Sequence, residues 1–306
     1  MGTSANSAYD FGKCKICAST ADVKYRISCG RIFVCSSCQF HFLDFLDQSP
    51  TPEKVEENVL AKKQILYVEK QLHSSPVRFD RQVAEIQKYG DLSGKRVLDI
   101  GCGGGLFLNL IRSYGAEVVG WELNPDRLQY CKERYNLNVV REPIESEVWH
   151  DDIGTFDFVT LWDVIEHVNF PLEVIQAASA QLKPGGVLLI DTPSRDGFYH
   201  RFGVLSYKLT QSRLPTFLNT MYSDVPFGHK QILASKDLDG MFMKAGLEKP
   251  EIRLLHELTF PYKFYLVRML RSEILAALCE PLVHLFFKVF RIKNKMLLSG
   301  VRNQVR

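Results

Sequence analysis

The sequence contains no uninterrupted apolar stretch of the ~18–20 residues that a membrane-spanning helix needs, so no helix is expected to cross a bilayer. Its first thirty residues lack an apolar core flanked by basic residues; no secretory signal is expected, and the chain reads as cytoplasmic. Internal repeats and low-complexity tracts are absent too. Nor is there a large excess of one charge: 38 basic against 35 acidic residues leave +3. With 46% hydrophobic and 24% charged residues the composition is that of a folded chain, and 306 residues suffice for about two domains.

The charge is unevenly placed. From residue 251 to 306, ten Lys/Arg face four Asp/Glu, a local +6, so the remainder carries −3. A basic end on a mildly acidic body suits an anionic partner such as phospholipid headgroups or nucleic acid; a solvated helical face is the plain alternative. Within it, residues 274–290 (ILAALCEPLVHLFFKVF) are apolar on more than one face and are followed by Arg291, Lys293 and Lys295. That pattern fits a helix lying in a membrane interface, peripheral on the inner membrane face, with a homodimer contact as the other reading.

Five of eight cysteines fall before residue 40. Cys14-x2-Cys17 and Cys35-x2-Cys38 are separated by 17 residues, the spacing of a structural four-cysteine zinc site. Each pair points two thiolates at one ion, and Zn2+ takes four ligands in a tetrahedron at ~2.3 Å. Short strands over residues 23–28 and 31–34 around Cys29-Gly30 make this a zinc ribbon, with Cys29 and His41 as spare ligands. Disulfides, the competing use, fit poorly with a reducing cytosol. After Pro50 and Pro52 a polar, helix-prone stretch runs over residues 53–72, and residues 79–89 predict an amphipathic lead-in helix.

Next, Arg96-Val97-Leu98-Asp99-Ile100 reads as a strand running into Gly101-Cys102-Gly103-Gly104-Gly105 and then a helix, the first half of a nucleotide-binding βαβ unit. Glycine is needed where backbone must turn tightly and approach a ligand. The following strand, residues 117–121, ends at Glu122, where an acid suits hydrogen bonds to ribose hydroxyls. The third glycine of a dinucleotide fingerprint is replaced by Leu106; the pattern is instead Asp99-x-Gly101-x-Gly103-x-Gly105. In this the chain resembles the class I S-adenosylmethionine (SAM)-dependent methyltransferases. Four later segments carry the resemblance in order: residues 156–168 (FDFVTLWDVIEHV), 182–194 (LKPGGVLLIDTPS), Gly228-His229-Lys230, and 238–247, so that it covers roughly residues 77–260.

The resemblance implies an α/β, Rossmann-like core: a mixed seven-stranded sheet with helices on both faces, plus the zinc ribbon and a helical tail. The expected divisions are a ribbon at 1–45, a helical linker and lead-in helix at 46–90, a SAM-binding core at 91–262 with a substrate lid at 194–232, and a basic apolar helical tail at 263–306. It also implies that Asp99, Gly101 and Gly103 line the methionine end of SAM, that Glu122 holds the ribose and that Trp162 faces the cofactor, with Cys102, Leu123 and Asp163 as further cofactor-binding residues. Asp157 is expected near the base of the glycine turn, and Glu142 or Glu145 near the adenine.

Methyl transfer requires alignment of acceptor, methyl and sulfur, and usually a base. The candidates are Asp163, Glu166, His167, His200, Tyr222 and His229, with His167 first because imidazole takes a proton near neutral pH, and His229 comparable. The segment Asp163-x-x-Glu166-His167 resembles the ubiquinone-biosynthesis O-methyltransferases, in which the matching positions are linked to a divalent metal; a helix-capping role for Glu166 and His167 is the alternative. Aromatic and basic residues interleave over 194–232, as suits a lid over an acceptor or a local satellite core. The expected function is O-methylation of a saccharide- or lipid-linked small acceptor. Ribosomal RNA methylation, sugar C-methylation and a non-catalytic SAM-binding or zinc-ribbon interaction protein are the alternatives.

Overall fold

The computed structural model describes residues 9–47, 76–144, 146–213, 215–258, 261–290 and 292–303. The helix-prone stretch at 53–72 and Glu145 lie outside them.

At the N-terminus, β1 (Ala21–Ile27), β2 (Gly30–Cys35) and β3 (His41–Leu43) form an antiparallel sheet in that order. After α1 (Pro76–Gln87) the core alternates: β4 (Arg96–Ile100), α2 (Leu106–Ser113), β5 (Glu117–Trp121), α3 (Pro125–Tyr135), β6 (Val139–Val140), β7 (Phe156–Trp162), α4 (Pro171–Gln181) and β8 (Leu182–Pro193). The insertion carries α5 (Phe198–Leu209) and α6 (Thr216–Met221). Then come α7 (Ser235–Lys244), β9 (Glu251–Leu255), the hairpin α8 (Tyr262–Leu270) and α9 (Glu273–Phe290), and β10 (Lys295–Val301).

The seven core strands lie in the order β6-β5-β4-β7-β8-β10-β9. β4 to β8 are parallel, and β10 runs antiparallel to both neighbours. Alternate strand residues enter two cores, as expected for a sheet covered on both sides. Leu98, Ile100, Val159 and Leu161 pack with α4, α7 and the ribbon's Phe40 and Phe42. Val97 and Phe158 pack with Val83 and Ile86 of α1 and Phe107, Leu108 and Ile111 of α2. This is the expected mixed seven-stranded architecture.

Three details correct the sequence reading. The segment 263–306 is not a wholly helical tail: its residues 295–301 are a buried sheet strand, paired from Lys295 opposite Pro193 to Val301 opposite Val187. A run of this length, KMLLSGV, declares itself a strand only when β8 and β9 offer their edges. The lead-in helix starts at Pro76, whose fixed φ suits a first helical turn, and ends at Gln87 rather than Tyr89. The ribbon has a third strand, β3, and is not a separate bead. Phe40 and Phe42 are fully buried in the main core, and Leu43 N donates to the Lys230 carbonyl (2.7 Å).

The insertion packs on the ribbon as well. Tyr207, Leu218, Tyr222 and Ile232 share one apolar cluster with Tyr25, Ile32 and Leu43, and Arg26 N donates to the Tyr207 hydroxyl (2.9 Å). Two of its seven Phe and Tyr residues, Tyr207 and Tyr222, are thus satellite core. His200 and Tyr222, two of the candidate bases, are buried here, 3.5 Å apart.

Candidate cofactor and catalytic site

The carboxyl ends of the parallel strands form the crevice. Between β4 and α2 the chain turns through Gly101, Gly103 and Gly105, with φ of 73°, 58° and 75°. A Cβ on Gly101 would lie 2.6 Å from Val164 Cγ2, so only glycine fits; around Gly103 the space is open, leaving its backbone approachable. Cys131 of α3 braces the loop, its Sγ donating to the Gly103 carbonyl (3.1 Å). Cys102 and Leu123 adjoin this turn, Cys102 buried and Leu123 half-buried.

Glu122 sits at the tip of β5, as expected. Its carboxylate accepts from Gly103 N (2.9 Å) and Asn124 N (2.8 Å), and burial raises its pKa. Those bonds aim it at the loop while each oxygen keeps a second lone pair for a ligand hydroxyl. Beneath the loop lies Asp99, accepting from the Thr160 hydroxyl (2.6 Å); burial pushes its pKa up to about 7. Trp162 closes the floor, edge-on to Phe107, with a buried indole N–H that has no acceptor among the described residues. Asp157 is elsewhere. It opens β7 at the opposite end of the sheet, where Arg96 N (3.0 Å) and Lys183 Nζ (2.8 Å) donate to it. Parallel pairing with β4 puts every residue that begins β7 beside Arg96 rather than beside Gly101. Glu142 presents its carbonyl, not its side chain, to the interior, accepting from Trp121 Nε1 and Trp149 Nε1.

Past β7, Glu166, His167 and His229 each bring a ligand atom to within 4.8 Å of the others. The two imidazole centroids are 4.7 Å apart. Burial and the neighbouring His229 lower His167 to about 3, and burial lowers His229 as well, so both rings are neutral at pH 7. His229 Nδ1 lies 3.0 Å from the Met221 carbonyl, which can only accept; the proton is on Nδ1 and Nε2 is the basic atom. Burial and the Asp163 charge raise Glu166 to about 8. Lys230 N donates to the Glu166 carbonyl (2.9 Å), and Gln231 Nε2 donates to the carbonyls of Ile165 (2.8 Å) and Val168 (2.7 Å). The segment that meets the ribbon therefore also pins the loop that carries Glu166 and His167.

Asp163 does not join them. It is bound by Lys295 (2.7 Å) and Arg78 (2.9 Å), within a buried cluster in which Lys295 and Arg81 also hold Asp191 (3.1 and 2.6 Å) and Arg81 holds Glu257 (2.6 Å). Burial alone would raise the Asp163 pKa, but the charges of Lys295 and Arg78 outweigh it and hold the carboxyl below its usual range. A carboxylate so stabilised is a poor proton acceptor. Asp163 is therefore corrected from candidate base to anchor. Arg78, Arg81, Glu257 and Lys295 were not read from the sequence as site residues; they come from three separate segments, and no spacing links them.

The family model described as a methyltransferase domain matches residues 72–251. The chain belongs to this methyltransferase family. It is 36% identical over 133 residues to the ubiquinone biosynthesis O-methyltransferase of Xanthomonas campestris pv. campestris (strain B100), covering 42% of this chain and 54% of that protein. It is 27% identical over 196 residues to the protein of the same name from Nitrosococcus oceani, covering 61% and 76%. The chain thus spans about half the length of the Xanthomonas relative. A SAM-dependent methyltransferase from Archaeoglobus fulgidus has a similar fold, with a TM-score of 0.51 at 18% identity over 78% of this chain and 99% of that one. The family match covers the glycine turn, Glu122 and the Glu166–His167 loop and stops short of β10.

The protonation of Asp99 can be measured without a ligand. Asp99 takes up a proton in the folded state at a pH where the unfolded chain, at 3.8, has released it. The unfolded state then binds fewer protons, so stability falls as pH rises from 3.8 to about 7. Asp99→Asn is expected to remove that slope, gaining on the order of a few kcal/mol relative to wild type across the window. Parallel denaturation curves at both ends would refute a buried, protonated Asp99.

Proposed function

We propose that this chain transfers a methyl group from SAM to a hydroxyl oxygen of a small saccharide- or lipid-linked acceptor, at the cytoplasmic face of a membrane. What carries the reading is the placement of two neutral imidazoles at the same strand ends as the open Gly103 backbone and Glu122. The likeness to ubiquinone biosynthesis O-methyltransferases supports oxygen as the acceptor atom.

SAM, when bound, supplies an electrophilic methyl carbon on a sulfonium sulfur, which the acceptor oxygen displaces in one step. The chain's own part is positioning and proton removal. Glu122 would accept the ribose hydroxyls, and Asp99, Gly101, Cys102 and Gly103 would form the wall for the methionine end. The indole N–H of Trp162 is a donor for the cofactor. Holding the reactants together removes the entropy cost of a bimolecular encounter, worth up to ~7–11 kcal/mol. His229 Nε2 takes the acceptor proton, and His167 lies beside it. The same donors, with Glu166, are a carboxylate and two imidazoles suited to a divalent cation, which would activate the hydroxyl as a Lewis acid.

The four ribbon thiols belong to a structural Zn2+ in this reading. Cys14 and Cys38 sulfurs are 3.5 Å apart, as are those of Cys17 and Cys35, and Ile16 N and Cys38 N each donate to a sulfur at 3.4 Å. Cys29 and His41 are not in the set: Cys29 faces the Tyr222 carbonyl and His41 packs on Tyr25 and His200.

Purified protein is expected to contain about one zinc per chain by elemental analysis; a folded, metal-free sample would remove the ion from the ribbon. Glu122→Ala should weaken SAM binding on the order of 100-fold in calorimetry, from two lost hydrogen bonds to a charged group. Unchanged affinity would sink the ribose assignment. The function itself is tested with methyl-labelled SAM and extracts of the source organism split into RNA and lipid-plus-saccharide fractions. Label is expected in the second; label in RNA alone would replace the acceptor class.

A further inference from the structure

Helix α9 is amphipathic the wrong way round. Toward the protein it buries Ala276 and Phe287, the latter stacked on Tyr199 (5.5 Å) and His256 (5.0 Å). Toward solvent it presents Ile274, Leu278, Leu282, Leu285 and Val289, 56–75% exposed, spaced by three and four residues so that they form one stripe. Phe286 and Phe290 extend the stripe, and Phe286 meets Phe198 of α5 at 6.3 Å, which in turn stacks on Phe202 (5.6 Å). Leu205 and Leu209 of α5 are exposed in the same way. The insertion and the hairpin, far apart in sequence, thus share one apolar surface much larger than a scatter of single residues.

From this we infer that α5 together with the α8–α9 hairpin is a docking face for an anionic phospholipid bilayer. Charge selects the occupant. Arg201, Lys208, Lys263, Arg271 and Lys288 are exposed on these elements and Lys293 just beyond α9, against exposed Glu273 and half-buried Glu280 among the described residues. A second copy of the chain would meet this patch through a two-fold axis and set the basic residues of one patch against those of the other. Anionic headgroups would instead neutralise them while the stripe enters the acyl boundary. Among the described residues no helix is long and apolar enough to cross a membrane, so the contact lies in the interface plane. The face adjoins the site: Phe198 N donates to the Lys293 carbonyl (3.3 Å), and two residues on, Lys295 holds Asp163. In the methyl-transfer reading, on which this last step rests, a lipid-borne acceptor reaches the crevice along the bilayer surface.

The test is co-sedimentation of the full chain with equimolar phosphatidylcholine–phosphatidylglycerol vesicles, against phosphatidylcholine alone. Truncation after Lys263 is unsuitable because it removes β10. Leu282→Glu with Val289→Glu, both at outward positions, is expected to lower vesicle affinity at least about tenfold. Lys288→Ala with Lys293→Ala should lower it about 30-fold, at roughly fivefold per charge. Melting temperature and SAM affinity should stay unchanged in both variants. Wild-type protein that stays in the supernatant, pellets equally on phosphatidylcholine alone, or forms a dimer that the Leu282/Val289 variant breaks, would overturn the docking face. Pelleting without methyl transfer to any fraction would keep the face and discard the enzymatic reading; methyl transfer without pelleting would do the reverse.

Discussion

The cluster of Arg78, Arg81, Lys295, Asp163, Asp191 and Glu257 ties the lead-in helix to the strand ends around the crevice. Three cations and three carboxylates balance, and they come from α1, the end of β7, the end of β8, the loop after β9 and the start of β10. Burial would strip the charge from Lys295, but Asp163, Asp191 and Glu257 raise its pKa and keep it an ammonium. Removing one member of such a set leaves an unpaired buried charge, at a cost of about 3–5 kcal/mol. The set also fixes Asp163 in a left-handed conformation (φ 53°) at the turn out of β7, and so the direction in which Glu166 and His167 leave the sheet.

A second line of contacts reaches the same turn from the other side. The ribbon's Leu43 bonds to Lys230, Lys230 bonds to Glu166, and Gln231 bonds to Ile165 and Val168. Phe40 and Phe42 drive this association, since their burial in the main core removes two aromatic rings from water. A ribbon of this size has too little apolar interior to hold its own shape, and here it borrows the core of its neighbour. The four thiols shape the ribbon, the ribbon seats residues 229–232, and those residues hold the loop past β7. His229 owes its position to a module nearly two hundred residues earlier in the chain.

Burial sets the electrostatics of the crevice. Asp99 and Glu166 are raised and His167 and His229 lowered by the same absence of water, so the ends of β4 and β7, with His229 from the insertion, carry groups that are mostly neutral near pH 7. Asp163 and its partners stay charged, and they do so as pairs. Against this largely neutral interior stands the basic, apolar face of α5, α8 and α9, where Arg201, Lys208, Lys263, Arg271 and Lys288 stand in water.

Local pattern was enough for the glycine turn, Glu122 at the next strand tip, the paired C-x2-C knuckles and the order of helices and strands from β4 to β8. Each depends on residues within a few positions of one another, on φ > 0 at Gly101 and Gly103, on period-two burial, or on ligand spacing. Tertiary structure decided the rest. β10 became a strand because β8 and β9 offered unpaired edges to an apolar run that periodicity alone could not separate from a helical tail. Asp163 became an anchor because Arg78 and Lys295 arrive from either end of the fold. Asp157 fell at the far end of the sheet because parallel register, not proximity in sequence to the motif, sets which strand ends meet. His167 and His229 came together, and His200 and Tyr222 went into the ribbon contact, because long-range packing chooses which side chains share a low-dielectric space, and no local pattern encodes that choice.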